Sequence, residues 1–243
     1  MSIKVIVNGA SGRMGSLAAQ AVEAADGLSL VGRADLGDNL RDMIGREKAD
    51  VVVDFTAASV GYQMALDIIE SGARPVIGTS GFILDQVKKL QELCKKQKVG
   101  GVIAPNFSIS AVLMMKYAKD AARYLRDVEI VELHHDNKEE APSGTAIRTA
   151  ELIEEELGKT TGPKECREIV AHTRGGVHAG IAIHSIRLPG LVAHQEVLFG
   201  GLGQTLSIRS DTISRDSFMP GVVLACRKVV TADELYYGLE HLL

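Results

Sequence analysis

The sequence IKVIVNGASGRMG, residues 3–15, places a β-branched run directly before a glycine-rich turn. Residues 3–7 have the composition of a buried strand, and residues 14–25 have the apolar spacing of a helix. Glycines between a strand and a helix permit a tight turn, let backbone N–H groups approach a pyrophosphate, and let the helix pack closely on the sheet. This stretch predicts a dinucleotide-binding turn with these candidate residues: Gly9, Ala10, Ser11, Gly12, Arg13 and Met14.

The remainder of the first hundred residues alternates short apolar strands with helical patterns. The predicted strands are residues 28–34, 51–55, 75–77 and 101–104, and the predicted helices are residues 61–71 and 84–96. This alternation predicts a parallel, doubly wound sheet. The glycine spacing is GxxGxxG and less specific than GxGxxG, so a strand-to-helix turn without a ligand stays an alternative.

The pattern changes after this point. We predict a helix, a strand and a second helix at residues 110–125, 128–134 and 145–157, then strands at residues 181–188, 193–198 and 204–211. Strands that follow one another without helices predict a mixed or antiparallel sheet, and hence a second domain. Residues 217–227 and 233–243 have helical patterns that we expect to return to the first domain. The predicted domains are therefore residues 1–105 with 216–243, and residues 106–215.

An acidic residue follows the second predicted strand. Asp35 lies 20 residues after Gly15, where a carboxylate accepts hydrogen bonds from ribose hydroxyls and repels a 2′-phosphate. Residue 36 is leucine, which favours NAD over NADP, although Arg13 and Arg33 leave the use of both open. Two later turns at predicted strand ends add further candidate cofactor-binding residues: Gly78, Thr79, Ser80, Ala104, Pro105, Asn106 and Phe107.

The segment ELHHDNKEEAPSGTA, residues 132–146, combines groups that can move protons with a site for an anion. His134 and His135 end a predicted strand, and Lys138 follows in a charged loop. Ser143 or Thr145 can cap the next helix, whose N-terminus attracts a carboxylate. This grouping indicates proton donation to an anionic imine or enamine, while a surface loop with incidental histidines is the alternative.

Bulk properties narrow the class of protein. The chain has 243 residues and a net charge of −4, so no basic excess indicates nucleic acid as a partner. Its apolar runs are too short to span a bilayer, and it begins with a strand pattern, so we expect neither a membrane association nor a signal peptide. The histidines match no common metal-ligand spacing, and the three cysteines form no CxxC pair. We expect a cytoplasmic protein without a metal.

These motifs resemble the 4-hydroxy-tetrahydrodipicolinate reductase (dihydrodipicolinate reductase) family of the bacterial lysine pathway. The resemblance covers nearly the whole chain, and its string HHxxKxxAPSGTA is highly specific. It implies a Rossmann-like doubly wound parallel sheet built from both chain ends, plus an α+β domain for substrate binding and oligomerisation. It also implies a homotetramer that uses NADH or NADPH, or both, to reduce a cyclic dicarboxylic imine, with hydride transfer to C4 and loss of water.

The resemblance implies roles for particular residues of the segment. His134 matches the family's acid/base residue and Lys138 its proton donor, and His135, Gly144 and Thr145 match the residues that bind the substrate carboxylates. The helix start that contains Ser143 supplies further donors, so Ser143 is also a candidate for binding the substrate. The family usually has aspartate where this chain has Glu140, which keeps the charge with a longer reach.

Two other classes of protein stay open on the sequence alone. One is a non-catalytic dinucleotide-binding sensor or assembly protein, and the other is a dehydrogenase of an amino-acid imine.

Overall fold

The structure is a computed structural model that describes residues 2–79, 81–158, 162–164 and 166–243. It divides into two compact units: the first comprises the chain up to Ile109 together with Arg215–Leu243, and the second comprises Ser110–Ser214. That these units act as separate functional domains, with boundaries at residues 105 and 215, stays a prediction.

The helices and strands follow one another along the chain in a regular alternation that ends after α6. They are β1 (Ile3–Asn8), α1 (Arg13–Ala24), β2 (Leu28–Ala34), α2 (Leu40–Glu47), β3 (Val51–Asp54), α3 (Ala58–Glu70), β4 (Arg74–Ile77), α4 (Leu84–Gln97), β5 (Gly101–Ile103), α5 (Ile109–Ala122), β6 (Asp127–His134), α6 (Gly144–Leu157), β7 (Gly176–His178), β8 (Ile181–Arg187), β9 (Ala193–Gly201), β10 (Gln204–Thr212), α7 (Met219–Lys228) and β11 (Leu235–Tyr237). Short 3-10 helices lie at Arg215–Phe218 and Leu239–Leu242.

The first unit contains a six-stranded sheet in the order β11-β5-β4-β3-β1-β2, and all of its pairs are parallel. Ile6, Val52 and Ile103 point from the sheet into a core that α2, α3 and α4 cover. Because side chains alternate along a strand, neighbours such as Val5 and Val53 point to the opposite face. The predicted parallel, doubly wound sheet is confirmed.

The second unit contains a five-stranded sheet in the order β10-β9-β6-β8-β7. Strands β6 and β8 are parallel, and every other pair is antiparallel. The sheet is therefore mixed, as the strand pattern predicts. On one face, Gln195 of β9 donates to Thr149 of α6 over 2.8 Å, and both side chains are buried.

Some of the predictions for secondary structure are wrong or incomplete. The helical pattern of residues 233–243 is misleading, because Leu235–Tyr237 is a strand that pairs with β5. The sequence Leu-Tyr-Tyr favours a strand, and Gly238 at φ 114° prevents a helix from continuing. The helix Leu40–Glu47 is not predicted because only a few of its residues are apolar; Asn39 caps it by accepting from Asp42 N. The short strand β7 is also missing from the prediction.

Among the described residues, none of the helices has the length and apolar composition that crossing a membrane requires.

Candidate active site

The glycine turn joins β1 to α1 through close backbone packing. Gly9 has φ +77°, and a Cβ on it would lie 2.8 Å from the carbonyl oxygen of Phe55. A Cβ on Gly15 would collide with the carbonyl oxygen of Gly9. Gly12 is the N-cap residue of α1, so no side chain of the described residues caps this helix. The helix N-terminus therefore presents its partial positive charge beside a turn that only glycine can form.

Asp35 lies directly after β2 and contacts the same turn. Its carboxylate accepts hydrogen bonds from the backbone N of Ser11 at 3.0 Å and from Ser11 Oγ at 2.5 Å. An ionised carboxylate can accept about four hydrogen bonds, so Asp35 keeps capacity for ribose hydroxyls. Leu36 beside it is fully exposed, and Arg33 is paired with Glu23 at 2.8 Å.

A buried carboxylate that the sequence motifs do not include lies beneath these turns. Asp54 ends β3 with no exposed surface and accepts from Asn8 Nδ2 at 2.8 Å and from Thr79 Oγ1 at 2.6 Å. Thr56 Oγ1 also donates to it, at 2.9 Å. Burial raises the pKa of Asp54 even though these three hydrogen bonds act to lower it. Asp54 thus ties together the ends of β1, β3 and β4, and a carboxylate after a wholly apolar strand is the signal that could have found it.

Aromatic side chains fill the space between the predicted cofactor turns. A Cβ on Gly78 would collide with the ring of Phe55, which packs edge to face on Phe107 with ring centroids 5.9 Å apart. Phe107 is 3% exposed, so its ring belongs to the core. Asn106 uses Oδ1 to accept from Ser108 N.

The remaining cofactor candidates lie around these residues. Pro105 is exposed and Ala104 is buried, while Ser80 lies outside the described residues.

These features fit a dinucleotide. Its phosphates need closely approaching backbone N–H groups and an uncapped helix N-terminus, which residues 9–15 provide, and its ribose needs an acceptor such as Asp35. The turns are predicted from their positions at strand ends, and the parallel sheet places all of those ends at one edge.

In the second unit, His134 is joined to a buried carboxylate. Glu132 lies two residues earlier on β6, on the same face of the strand, and has no exposed surface. Its Oε2 lies 2.5 Å from His134 Nδ1. The His134 side chain is 14% exposed, so one side of the ring is held while the other can be reached.

Arg187 forms the other half of this arrangement. It lies on β8 directly opposite His134 in the sheet and donates to both carboxylate oxygens of Glu132, at 3.0 Å and 2.9 Å. Burial acts to raise the pKa of Glu132, but hydrogen bonds from His134 and Arg187 lower it to about 2. Glu132 is therefore ionised at neutral pH. The sequence assigns neither residue a role of its own: Glu132 lies in the segment 132–146 without a visible partner, and Arg187 is far from that segment in the chain.

The loop that carries Lys138 is attached to the same arginine. Arg187 donates to the carbonyl oxygen of Glu140 at 2.7 Å, and the Glu140 carboxylate lies 3.3 Å from Lys138 Nζ. A turn in which Lys138 N donates to the carbonyl oxygen of His135 begins the loop. Arg187 thus brings the strand end with His134 and the loop with Lys138 together.

The loop leads into the start of α6. Ser143 is its N-cap and accepts from Ala146 N at 3.2 Å, which decides between the two predicted caps in favour of Ser143. Its side chain is buried, which favours shaping the helix start over direct contact with a ligand. Gly144 has open space around the position of a Cβ, and the first turn has no acidic residue. With Thr145, this start can receive a carboxylate.

Two histidines outside the segment 132–146 have carboxylate partners of their own. His184 lies 2.8 Å from Glu129, and His194 lies 2.7 Å from Asp211, so both have carboxylate partners in the sheet. The described part of the chain contains no cluster of three or more histidine, cysteine, aspartate or glutamate side chains that could hold a metal.

Two family models together match nearly the whole chain. The models "Dihydrodipicolinate reductase, N-terminus" and "Dihydrodipicolinate reductase, C-terminus" match residues 3–107 and 110–243. The 4-hydroxy-tetrahydrodipicolinate reductases of Legionella pneumophila (strain Corby) and Coxiella burnetii (strain Dugway) are 50% and 49% identical over 243 residues, which is 100% of each chain. A solved dipicolinate-bound dihydrodipicolinate reductase from Paenisporosarcina sp. TG-14 is 39% identical, with a TM-score of 0.93 and 100% of both chains covered.

The sequence resemblance and the Rossmann-like first unit therefore agree with the matches, and the chain belongs to the dihydrodipicolinate reductase family of oxidoreductases.

Proposed function

We propose that this chain catalyses the NAD(P)H-dependent reduction of 4-hydroxy-tetrahydrodipicolinate to tetrahydrodipicolinate, with loss of water, in lysine and diaminopimelate biosynthesis. The observation that carries the proposal is the cluster in which Arg187 joins the His134 strand end to the Lys138 loop. His134 and Lys138 belong to the segment by which the chain resembles the family. Relatives named for this reaction match the whole chain over their full length.

The dinucleotide would be held by the uncapped start of α1 and by Asp35. When bound, its reduced nicotinamide supplies the hydride. Asp35 and the exposed Leu36 favour NADH, because a carboxylate repels a 2′-phosphate and leucine cannot bind one. Arg33 is already paired with Glu23. Arg13 of the glycine turn is therefore the arginine that could bind the 2′-phosphate of NADPH. We therefore propose that NADH is preferred and that NADPH is also used.

The substrate would be held through its two carboxylates in the second unit. The start of α6 at Gly144 and Thr145 offers backbone donors and the positive end of the helix dipole, and His135 adds a side-chain donor. Addition of hydride to carbon leaves an electron-rich nitrogen, which the Lys138 ammonium can protonate. His134 serves as the acid/base residue.

The cellular setting follows from the same proposal. Exposed apolar side chains on sheet strands, such as Leu198 and Leu206, support a homotetramer in which they are covered. A biosynthetic enzyme that uses NADH and has free cysteines suits the cytoplasm. Measurement of the molecular mass in solution tests the tetramer.

The experiment that tests the function supplies the substrate enzymatically. Purified protein is mixed with pyruvate, aspartate semialdehyde, the preceding synthase and NADH, and the loss of NADH absorbance is recorded. We expect a loss that requires this protein and that pyridine-2,6-dicarboxylate inhibits, because that planar dicarboxylate resembles the substrate. Binding of NADH without turnover would instead support a sensor, and turnover only with amino-acid imines would support the other dehydrogenase.

A further inference from the structure

We propose that Glu132 and Arg187 are positioning residues that hold His134 in a single tautomer and connect it to the loop of Lys138. The inference rests on the proposed function, since the role of His134 comes from it. The resemblance to the family gives neither residue a catalytic or binding role.

The tautomer follows from the hydrogen bond between Glu132 and His134. An ionised carboxylate can only accept, so the proton between Glu132 Oε2 and His134 Nδ1 belongs to the nitrogen. The other ring nitrogen, Nε2, is then the atom that exchanges a proton with the reacting molecule. A ring held by one short bond on a fully buried partner also has a fixed orientation.

Arg187 keeps this carboxylate available to the histidine. A buried carboxylate without a cation would take up a proton and could then donate to Nδ1, which would reverse the tautomer. The two hydrogen bonds from Arg187 prevent this by stabilising the ionised form. Its bond to the carbonyl oxygen of Glu140 uses the same guanidinium to fix the loop of Lys138.

A second Arg–Glu–His group, with its glutamate on the same strand, shows what distinguishes the group around Glu132. Glu129, on the opposite face of β6, is bonded to Arg174 and lies 2.8 Å from His184. Its side chain is 32% exposed, whereas that of Glu132 is fully buried. The residue types alone therefore do not define a positioning group, and Glu129 offers a matched control.

Two charged groups of the described residues lie beside His134: Glu132 on its own strand and Arg187, opposite it on β8. Arg187 also bonds the loop that carries the ion pair of Lys138 and Glu140. Gln195 on β9, opposite Glu132, and its partner Thr149 on α6 are uncharged.

The test compares Glu132→Gln, Glu132→Asp and the control Glu129→Gln. We expect Glu132→Gln to lower kcat on the order of 100-fold, with NADH affinity within about twofold of wild type because the dinucleotide turn is untouched. The pH profile of kcat/KM should differ from that of wild type, because a neutral amide replaces the carboxylate that contacts the His134 ring. Glu132→Asp should restore part of kcat, and Glu129→Gln should leave rate and profile unchanged.

A purely structural role would lower the melting temperature and leave the pH profile in place. An active Glu132→Gln variant whose kcat/KM profile superimposes on that of wild type overturns the proposal. Should Glu132→Gln not fold, Arg187→Lys serves instead: it keeps the charge, loses the two-pronged bond, and should lower kcat about tenfold with a shifted profile. An unshifted profile in Arg187→Lys overturns the proposal equally.

A second readout does not depend on turnover. In protein labelled with nitrogen-15 at histidine, the signal of His134, assigned with a His134→Asn variant, should report a proton on Nδ1 in the neutral ring. A proton on Nε2 overturns the tautomer assignment.

The failure of this inference and the failure of the proposed function can be told apart. If wild type has the proton on Nδ1 but does not reduce the substrate, the proposed function fails and the geometry stands. If wild type is active and Glu132→Gln behaves like it, only the positioning role fails.

Discussion

Asp54 provides a quantitative test of how the cofactor turns are held. We compare Asp54→Ala with Asp54→Asn. Alanine removes the acceptor for Asn8 Nδ2 and Thr79 Oγ1, whose residues are 3% and 5% exposed. The Thr79 hydroxyl can turn to the carbonyl oxygen of Thr56 at 3.2 Å, whereas the amide of Asn8 is buried and points at Asp54.

The magnitude follows from these contacts. A buried donor left without an acceptor costs about 1–3 kcal/mol, and one or two donors are stranded in Asp54→Ala, so we expect a loss of about 1–6 kcal/mol in the free energy of unfolding. In Asp54→Asn, the amide oxygen can still accept from Asn8, and the amide nitrogen can donate to Thr79 Oγ1. We expect a loss of about 1 kcal/mol or less for that variant.

The pH dependence of stability tests the role of the Asp54 carboxylate further. Burial raises the pKa of Asp54, so the folded chain binds this proton more tightly than the unfolded chain. The free energy of unfolding that Asp54 contributes therefore falls as pH rises from the ordinary carboxyl pKa through the raised one. Asp54→Asn removes this fall, so its difference from wild type should be smaller at neutral pH than in acid.

Urea unfolding at several pH values measures these differences, and a fluorescence titration measures NADH binding. We expect Asp54→Ala to bind NADH at least about tenfold more weakly, because binding must then restore the order of the turns, and a cost of about 1.4 kcal/mol weakens binding tenfold. Asp54→Asn should bind NADH nearly as wild type does. The proposed role of Asp54 is refuted if Asp54→Ala is as stable as wild type, or if Asp54→Asn is destabilised as much as Asp54→Ala.

Three further substitutions test other parts of the molecule. Gly15→Ala should raise the KM for NADH about tenfold or more, since a Cβ there collides with Gly9 and relieving such a clash costs about 1–3 kcal/mol; an unchanged KM in steady-state assays would contradict the turn's role. Lys138→Ala should lower kcat about 10²- to 10⁴-fold, with unchanged NADH affinity by titration, and normal turnover would refute the proton-donor role. Ser143→Ala should lose about 1 kcal/mol of stability through the missing N-cap and should raise the substrate KM, whereas thermal unfolding identical to wild type would count against the cap.

Local patterns in the sequence predict the parts of this molecule that they determine. The strand Val51–Asp54 is recognisable because its run of three valines needs cover on both faces. The turn at residues 9–15 is recognisable because its glycines stand between a strand and a helix. The prediction for residues 233–243 fails because the pairing of β11 with β5 joins segments far apart in the chain. Helical spacing within the segment could not reveal that partner.

The candidate site divides in the same way. His134 and Lys138 are recognisable because they share one short segment with the start of α6. Glu132 lies in that segment too, but its importance depends on complete burial and on Arg187, which the parallel pairing of β6 with β8 brings opposite His134. The role of Asp54 likewise depends on Asn8, its partner in the sheet register. In both cases the pairing of strands that are far apart in the sequence brings the partner residue into contact.

The most direct test of the proposed reduction follows the hydride itself. NADH carrying deuterium at C4 of the nicotinamide, in the transferable position, is turned over with substrate made by the synthase, and the product is examined by mass spectrometry and NMR. We expect one deuterium at C4 of tetrahydrodipicolinate, together with loss of the hydroxyl as water. A product without deuterium, or no turnover with either deuterated NADH or NADPH, would contradict the proposed function.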